Sequence, residues 1–434
     1  MNVALVGYGR DGAVSYEYFV GRGDQVTICD EAKLPVPDGA ATQMGENYLD
    51  NLDRFDLIVR SSGIHPDIIL AKNPGVADKI TTSIDTFLQH CPTPHTFGVT
   101  GTKGKGTTST LITKILEASG RRAFLGGNIG LSPLGFINQL QPDDWVVLEL
   151  SSYQLHDITR STHIAVCLKM EDEHLDWHGD VQRYHAAKSR LFANQSPDDA
   201  AIYYACSPAA QRIAQHSPAA RTPYYEQPGA YIDSGENVVI DGHVICHTSE
   251  LQLLGKHNWQ NVCAAVTAVW QAGIRDLDAI RDTVTTFKGL EHRIEFVRSL
   301  DGVAYYNDSF ATNTSATIAA VLAIPQPQVL IMGGHDRMLP LENFAKQLQE
   351  QSGKIRQVIA IGASGDRLAA VLREAGLSQI TRSQASTMTE VIQAAQTEAK
   401  PGDAIVLSPG FASFGMFKDF IDRGEQFKQV VNEL

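Results

Sequence analysis

Gly98-Val99-Thr100-Gly101-Thr102-Lys103-Gly104-Lys105-Gly106-Thr107-Thr108 is the stretch from which the fold can be read. An apolar strand ends at Val99, and the helix that opens behind the glycines has an apolar face of Leu111, Ile112, Ile115 and Leu116 before Gly120 stops it. Glycines here let backbone N–H groups curl around phosphate oxygens, the helix dipole adds partial positive charge, and Lys105 reaches the outer phosphates. A plain glycine-rich turn is the competing reading; the strand and helix on either side argue against it. The residue after the lysine, normally Ser or Thr for a magnesium ion, is Gly106, so Thr107 or Thr108 must supply that hydroxyl.

Working outward, Trp145-Val146-Val147-Leu148-Glu149-Leu150 reads as a buried strand ending in an acid. Ligands of open α/β sheets bind at the carboxyl ends of strands, so Glu149 is placed as a hard oxygen ligand for Mg²⁺ or, alternatively, as a surface acid at a strand end. The strand His163–Met170 then runs into Glu171-Asp172-Glu173-His174-Leu175-Asp176-Trp177-His178-Gly179-Asp180. That run fits a solvated loop, or a metal ligand and a base among acids. Tyr184 to Phe192 reads as a helix carrying Lys188, which on residue chemistry alone is a solvated lysine.

At the N-terminus, Gly7-Tyr8-Gly9-Arg10-Asp11-Gly12 is a literal G-x-G-x-x-G between a strand and a helix, with Asp30 at the end of the next strand. Three readings stand: an NAD site, a tight turn, or a helix N-terminus offered to the diphosphate of another nucleotide. Cys91-Pro92-Thr93-Pro94-His95-Thr96 is a candidate linker, and a third strand and helix rhythm begins beyond Arg293, with strands at Val303–Tyr306, Gln328–Met332, Val358–Ile361 and Ala404–Leu407. The expectation is an α/β protein of three domains: 1–90 Rossmann-like, 91–293 of P-loop ATPase type, and 294–434 Rossmann-like.

The 434 residues carry 36 basic and 49 acidic side chains, a net charge of −13, which argues against a nucleic-acid or membrane-surface binder. An anionic small molecule would need local Lys, Arg and N–H groups working against that field. Six scattered cysteines with no C-x-x-C pair, and no signal-like or membrane-spanning segment, lead us to expect a reduced, cytoplasmic protein. A monomer is expected.

Taken in order, Gly101-Thr102-Lys103-Gly104-Lys105, Gly126-Gly127-Asn128-Ile129-Gly130, Leu148-Glu149-Leu150-Ser151-Ser152, Glu173-His174-Leu175-Asp176, Ala187-Lys188, His257-Asn258 with Asn261, His292-Arg293 and Asn307-Asp308-Ser309 resemble the Mur ligase family over essentially the whole chain. The resemblance is to the branch that joins glutamate to UDP-N-acetylmuramoyl-L-alanine. It implies an N-terminal domain for the UDP sugar, a central ATPase domain and a mobile C-terminal domain. It also implies a reaction in which ATP phosphorylates the substrate carboxylate and the amine of glutamate, expected as the D form, attacks the acyl phosphate.

Residue by residue, the resemblance implies that Lys105, His174 and Lys188 are catalytic. ATP would meet Gly101, Thr102, Lys103, Gly104, Lys105, Gly106, Thr107, Asn258, Asn261, Arg293 and Asp308. Two Mg²⁺ ions would be held through Thr107, Glu149, His174 and a carbamylated Lys188. The UDP sugar would meet Gly9, Arg10, Asp11, Asp30, Ser62, Asn128 and Ser151, and glutamate would meet Arg337, Thr312, Ser413 and Phe420; ordinary helix packing is the other reading of Phe417 and Phe420. Three positions depart from the branch. Gly106 is similar to folylpolyglutamate synthases, Phe310 stands in place of a lysine, and Glu173 to Gly179 with Asp308-Ser309-Phe310 is closer to ligases that add L-glutamate. The alternatives are therefore L-glutamate addition, folylpolyglutamate synthesis, or a non-catalytic protein binding NAD or a UDP sugar.

Overall fold

The computed structural model describes residues 1–434 except Leu254, Arg337 and Leu339. The chain divides into two compact units, Met1–Leu251 with Lys256–Thr286, and Gln252–Gly255 with Phe287–Leu434.

The first unit begins with a five-stranded sheet in the order Ala41–Met44, Gln25–Asp30, Asn2–Val6, Leu57–Arg60, Ile80–Thr81, parallel throughout. Strands covered on both faces need apolar residues at every position. In Asn2–Val6, Ala4 and Val6 join one cluster with Ile58, Phe55 and Leu52, while Val3 and Leu5 join the other with Phe19 and Val59.

A six-stranded parallel sheet follows, ordered Ala220–Tyr224, Ala200–Tyr204, Ile164–Cys167, Thr96–Thr100, Trp145–Glu149, Ala123–Gly127. Thr96–Thr100 lies between the strand ending at Glu149 and the strand ending at Cys167, so the glycine-rich loop, Glu149 and the acidic run all leave the same edge as neighbours. That is the switch point where α/β sheets bind ligands. The strand expected over His163–Met170 stops at Cys167 because the following residues pair with the loop instead: Leu168 N–H donates to Thr100 O, and Thr102 N–H to Lys169 O, at 2.9 and 3.0 Å. Tyr231–Ile232, Asn237–Ile240 and His243–His247 form a small antiparallel sheet.

In the second unit the sheet order is Glu295–Leu300, Val303–Asn307, Ala404–Leu407, Gln328–Gly333, Ile355–Ile361, Ile380–Arg382. Only the first strand is antiparallel to its neighbour. Alternate residues of Gln328–Gly333 feed opposite cores, Leu330 and Met332 on one face, Val329 and Ile331 on the other. Phe417 belongs to the second of these cores, so the packing reading holds for it. All six cysteines are free, and among the described residues no helix is long and apolar enough to cross a membrane.

Candidate functional site

The glycine-rich loop joins Thr96–Thr100 to the helix Lys105–Ala118. Gly104, the residue before that helix, has φ +88°, and a Cβ on it would lie 2.2 Å from Asn261 Oδ1, so the position requires glycine. Asn258 and Asn261 lie one turn apart on the helix Lys256–Gln271 and are joined by a 2.8 Å hydrogen bond. The structure thus brings Asn261 against the loop, with Asn258 bonded to it. Gly101 packs on Leu168. Thr102 Oγ1 donates to Glu171 O and lies 3.0 Å from Tyr184 Oη, while the exposed Lys103 pairs with Glu171 at 3.2 Å. Gly106 and Thr108 are buried, whereas Thr107 is half-buried.

Lys105 Nζ donates to Gly101 O and Thr102 O at 3.1 and 2.8 Å. Lys188, 1% exposed on the helix Val181–Ala193, donates to the same Gly101 O at 3.0 Å and to Thr100 Oγ1 at 3.1 Å. Two amines therefore converge on one carbonyl. Burial, with the Lys105 charge next in importance, pushes Lys188 down to about 7. The solvated lysine of the residue chemistry is in fact a fully enclosed one, and the helix that carries it also turns Tyr184 inward four residues earlier.

Glu149 is buried at its strand end, where its carboxylate accepts from Asn128 Nδ2 and its carbonyl from Asn128 N–H, both at 2.8 Å. Ser151 caps the short helix Ser152–Leu155 in a reciprocal box with Gln154. His174 has φ +59° and rests 5.0 Å from the Tyr153 ring; burial first, then the Lys105 and Lys188 charges, hold it below the usual imidazole value against the opposing pull of the Glu173 and Asp176 carboxylates. His178, which residue reasoning did not single out by role, is buried, hydrogen-bonded to Ser152 Oγ at 2.9 Å, and held neutral by burial at about 4.

At the first sheet, Gly9 precedes the helix Arg10–Gly21 with no side-chain cap, and Arg10 opens it. The Asp11 carboxylate takes the hydroxyls of Ser83 and Ser132. Both oxygens of Asp30 are engaged by backbone amides, Tyr8 N–H at 2.7 Å and Ala32 N–H at 2.9 Å, so this acid holds the turn closed. The Ser62 carbonyl accepts from Arg60 Nη1.

In the second unit, the Arg293 guanidinium lies 4.0 Å over the Phe310 ring, and Phe310 meets Phe420 edge-on at 4.9 Å. Asp308 is fully enclosed, accepting from Ser408 Oγ at 2.6 Å and Ile294 N–H at 3.1 Å, and burial raises it to about 7. Ser309 Oγ donates to Phe420 O at 2.7 Å, and the buried Arg423, another residue not foreseen, donates to Ser309 and Phe411. Ser413 is buried and Thr312 half-buried. Arg337 lies outside the described residues. Glu291, His292 and Glu425 bring three ligand atoms within 4.8 Å, but Lys428 already sits among these acids, 2.8 Å from Glu425 and 3.4 Å from Glu291.

Asp308 carries a stability prediction. Its native value lies above the ordinary 3.8, so the protonated acid's contribution is present in full below about pH 4 and is lost as pH rises through 7. Asp308→Asn should match the parent near pH 4 and exceed it at pH 8 by on the order of a few kcal/mol, at about 1.4 kcal/mol per unit. Urea unfolding at both pH values measures the difference; equal stability at pH 8 contradicts it.

Residues 99–269 match the Mur ligase middle domain, and residues 292–411 match the Mur ligase, glutamate ligase domain. A UDP-N-acetylmuramoylalanine--D-glutamate ligase of Symbiobacterium thermophilum is 37% identical, covering 99% of this chain and 98% of its own. One of Acetivibrio thermocellus is 34% identical over 100% and 96%. Among solved structures, UDP-N-acetylmuramate-alanine ligase MurC of Thermotoga maritima has a TM-score of 0.62 at 16% identity, covering 100% of this chain and 99% of its own. E. coli FolC has a TM-score of 0.58 at 18% identity but covers only 81% of this chain, with 92% of its own. At that identity both likenesses speak to fold alone. The full-length relatives, together with the two domain matches, make this chain a member of the Mur ligase family.

Proposed function

We propose that the protein is an ATP-dependent ligase that joins D-glutamate to UDP-N-acetylmuramoyl-L-alanine in peptidoglycan precursor synthesis, working as a cytoplasmic monomer. The observation that carries the reading is the convergence of Lys105 and Lys188 on Gly101 O, beside Glu149, in a chain 37% identical to a D-glutamate ligase over its full length. Residues 1–90 would take the UDP sugar, 91–293 ATP, and 294–434 glutamate. Both oxygens of Asp30 being engaged supports a diphosphate at the Gly9–Arg10 helix start over an NAD ribose.

In the first step a carboxylate oxygen of the alanyl group attacks the γ-phosphorus of ATP, and ADP leaves. In the second the glutamate amine attacks the acyl carbon, phosphate leaves with the C–O bond pair, and the amine proton passes to a base. Lys105 would neutralise the phosphates that converge in the first step. Asn258 and Asn261 would contact the nucleotide, Arg293 and Asp308 its phosphates and ribose, and Ser413, Thr312, Phe420 and Arg337 the glutamate.

The donor set of Thr107, Glu149 and His174 suits Mg²⁺ only if further anionic oxygen is supplied, because Mg²⁺ prefers oxygen ligands and an ammonium is none. Lys188 would supply it as a carbamate: its neutral nitrogen bonds the carbon of CO₂ and releases one proton. Mg²⁺, when bound, would screen the negative charge gathered between ATP and the substrate carboxylate. The test is phosphate release from ATP with UDP-N-acetylmuramoyl-L-alanine and each glutamate enantiomer. Release with the D form is expected; preference for the L form replaces the substrate, and none with either form overturns the reading.

A further inference from the structure

We propose that Arg60, Asp157 and Trp177 are positioning residues that hold loop 61–64 with its amides open to an anionic ligand and lock it to the segments carrying Glu149 and His174. The ligand is the diphosphate-bearing substrate, so the inference rests on the function proposed above.

Arg60 ends the strand Leu57–Arg60 and is 1% exposed, a burial that a guanidinium tolerates only with its donors matched. Nε and Nη2 grip the Asp157 carboxylate as a fork at 2.8 and 2.6 Å, and Nη2 also donates to Tyr153 O at 3.2 Å. Nη1 faces the other way and donates to Ser61 O, Ser62 O and Ile64 O at 3.3, 3.3 and 3.0 Å. The remaining carbonyl of the loop, Gly63 O, accepts from Trp177 Nε1 at 3.1 Å. Four consecutive carbonyls are thus turned towards two side chains.

A loop whose carbonyls face inward presents its amides elsewhere. Ser61 N–H donates to Val6 O and Ile64 N–H to Ser61 O, while among the described residues the Ser62 and Gly63 amides have no protein acceptor. The loop lies against the glycine-rich turn: a Cβ on Gly7 would come within 2.7 Å of Ser61 Cβ. Gly7 leads into the uncapped start of the helix Arg10–Gly21, so the loop and the turn that packs on it each carry amides without a protein acceptor among the described residues.

The far ends of these bonds matter equally. Tyr153 and Asp157 follow Glu149 by four and eight residues, and Trp177 is in the turn of helix that His174 opens. A substrate held at the 61–64 loop is consequently held in register with the acid and the imidazole assigned to the Mg²⁺ ions. Trp177 is steadied by the His65 and His156 rings, 4.4 and 5.2 Å from it.

The test is calorimetric titration of UDP-N-acetylmuramoyl-L-alanine, and separately of a non-hydrolysable ATP analogue with Mg²⁺, into the parent protein, Trp177→Phe, Asp157→Asn and Arg60→Lys. Trp177→Phe keeps the ring stack and loses one hydrogen bond, so substrate should bind about threefold to tenfold more weakly. Asp157→Asn and Arg60→Lys should weaken it more than about tenfold. Affinity for the ATP analogue should stay within about twofold in all three, which a general loss of structure would not allow. Substrate binding should also change tryptophan fluorescence in the parent and not in Trp177→Phe. If the parent binds the substrate and both Trp177→Phe and Asp157→Asn bind it equally well, the positioning roles are overturned. If the parent itself does not bind it, the assigned substrate fails and the inference with it.

Discussion

Replacing Lys188 by alanine should reduce turnover by about 10²–10³-fold or more, and a small carboxylate such as acetate should restore part of it. The expectation starts from burial. A lysine with 1% exposure, pushed to about 7 and sharing Gly101 O with Lys105, is a poor place to keep a permanent cation. Near neutral pH a large share of it is the free amine that CO₂ requires, and the product is an anion beside the Lys105 ammonium instead of a second positive charge. Alanine removes both the carbamate and the bulk behind it, leaving room for acetate to stand in. Wild-type turnover without added carboxylate would remove Lys188 from the reaction. A stability measurement separates this role from packing. Lys188 has its native value below the ordinary 10.5, so the penalty of burying its charge is present in full below about pH 7 and is relieved as pH rises towards 10.5. Lys188→Met should therefore be no less stable than the parent at pH 6 despite two lost hydrogen bonds, with any advantage shrinking at higher pH.

The parts of this molecule that were legible in its residues are those where local pattern and chemistry coincide. The loop from Gly101 to Gly106, the apolar face behind it and the acid at Glu149 form one strand, turn and helix pattern, and parallel sheets place such strand ends side by side. Two hairpins were not foreseen, at Asp241-Gly242 and Asp301-Gly302. Both pairs have the positive φ of tight hairpin turns, 48° and 79°, then 51° and 79°, and an Asp-Gly pair between apolar runs is the signal that would have found them. Tertiary use of a side chain is harder to read. Asp30 looks like a ribose ligand in sequence and in the structure also accepts from Tyr8 and Ala32 N–H, Asp11 ties Ser83 to Ser132, and Phe417 fills a core while its neighbour Phe420 meets Phe310. Arg60 and Arg423 gave no local sign of their roles, because partners that fix them, Tyr153 O and the Asp157 carboxylate for Arg60 and Ser309 for Arg423, lie about a hundred residues away in the chain.

Lys105→Ala should lower turnover by about 10³-fold, while Lys103→Ala, two residues away, should cost less than about tenfold. The two lysines share a loop but not an environment. Lys103 is 62% exposed and its ion pair with Glu171 is open to water, where such pairs contribute little. Lys105 is partly enclosed, with its ammonium against two loop carbonyls, so phosphate oxygens arriving there would meet it in a drier medium where a unit charge counts for more. Losing it also acts at a second place. Lys105 is the leading charge that depresses Lys188, so its removal should raise Lys188 and shrink the fraction of free amine. Lys105→Ala should then bind less ¹³CO₂ at pH 7.5 than the parent, read as a weaker carbamate signal by NMR, whereas Lys103→Ala should not. The Lys105→Ala, Lys188→Ala double variant should be little worse than either single one, since groups acting as a unit are lost together. Additive losses in the double variant, or an unchanged carbamate signal in Lys105→Ala, would show that the two amines act separately despite the carbonyl they share.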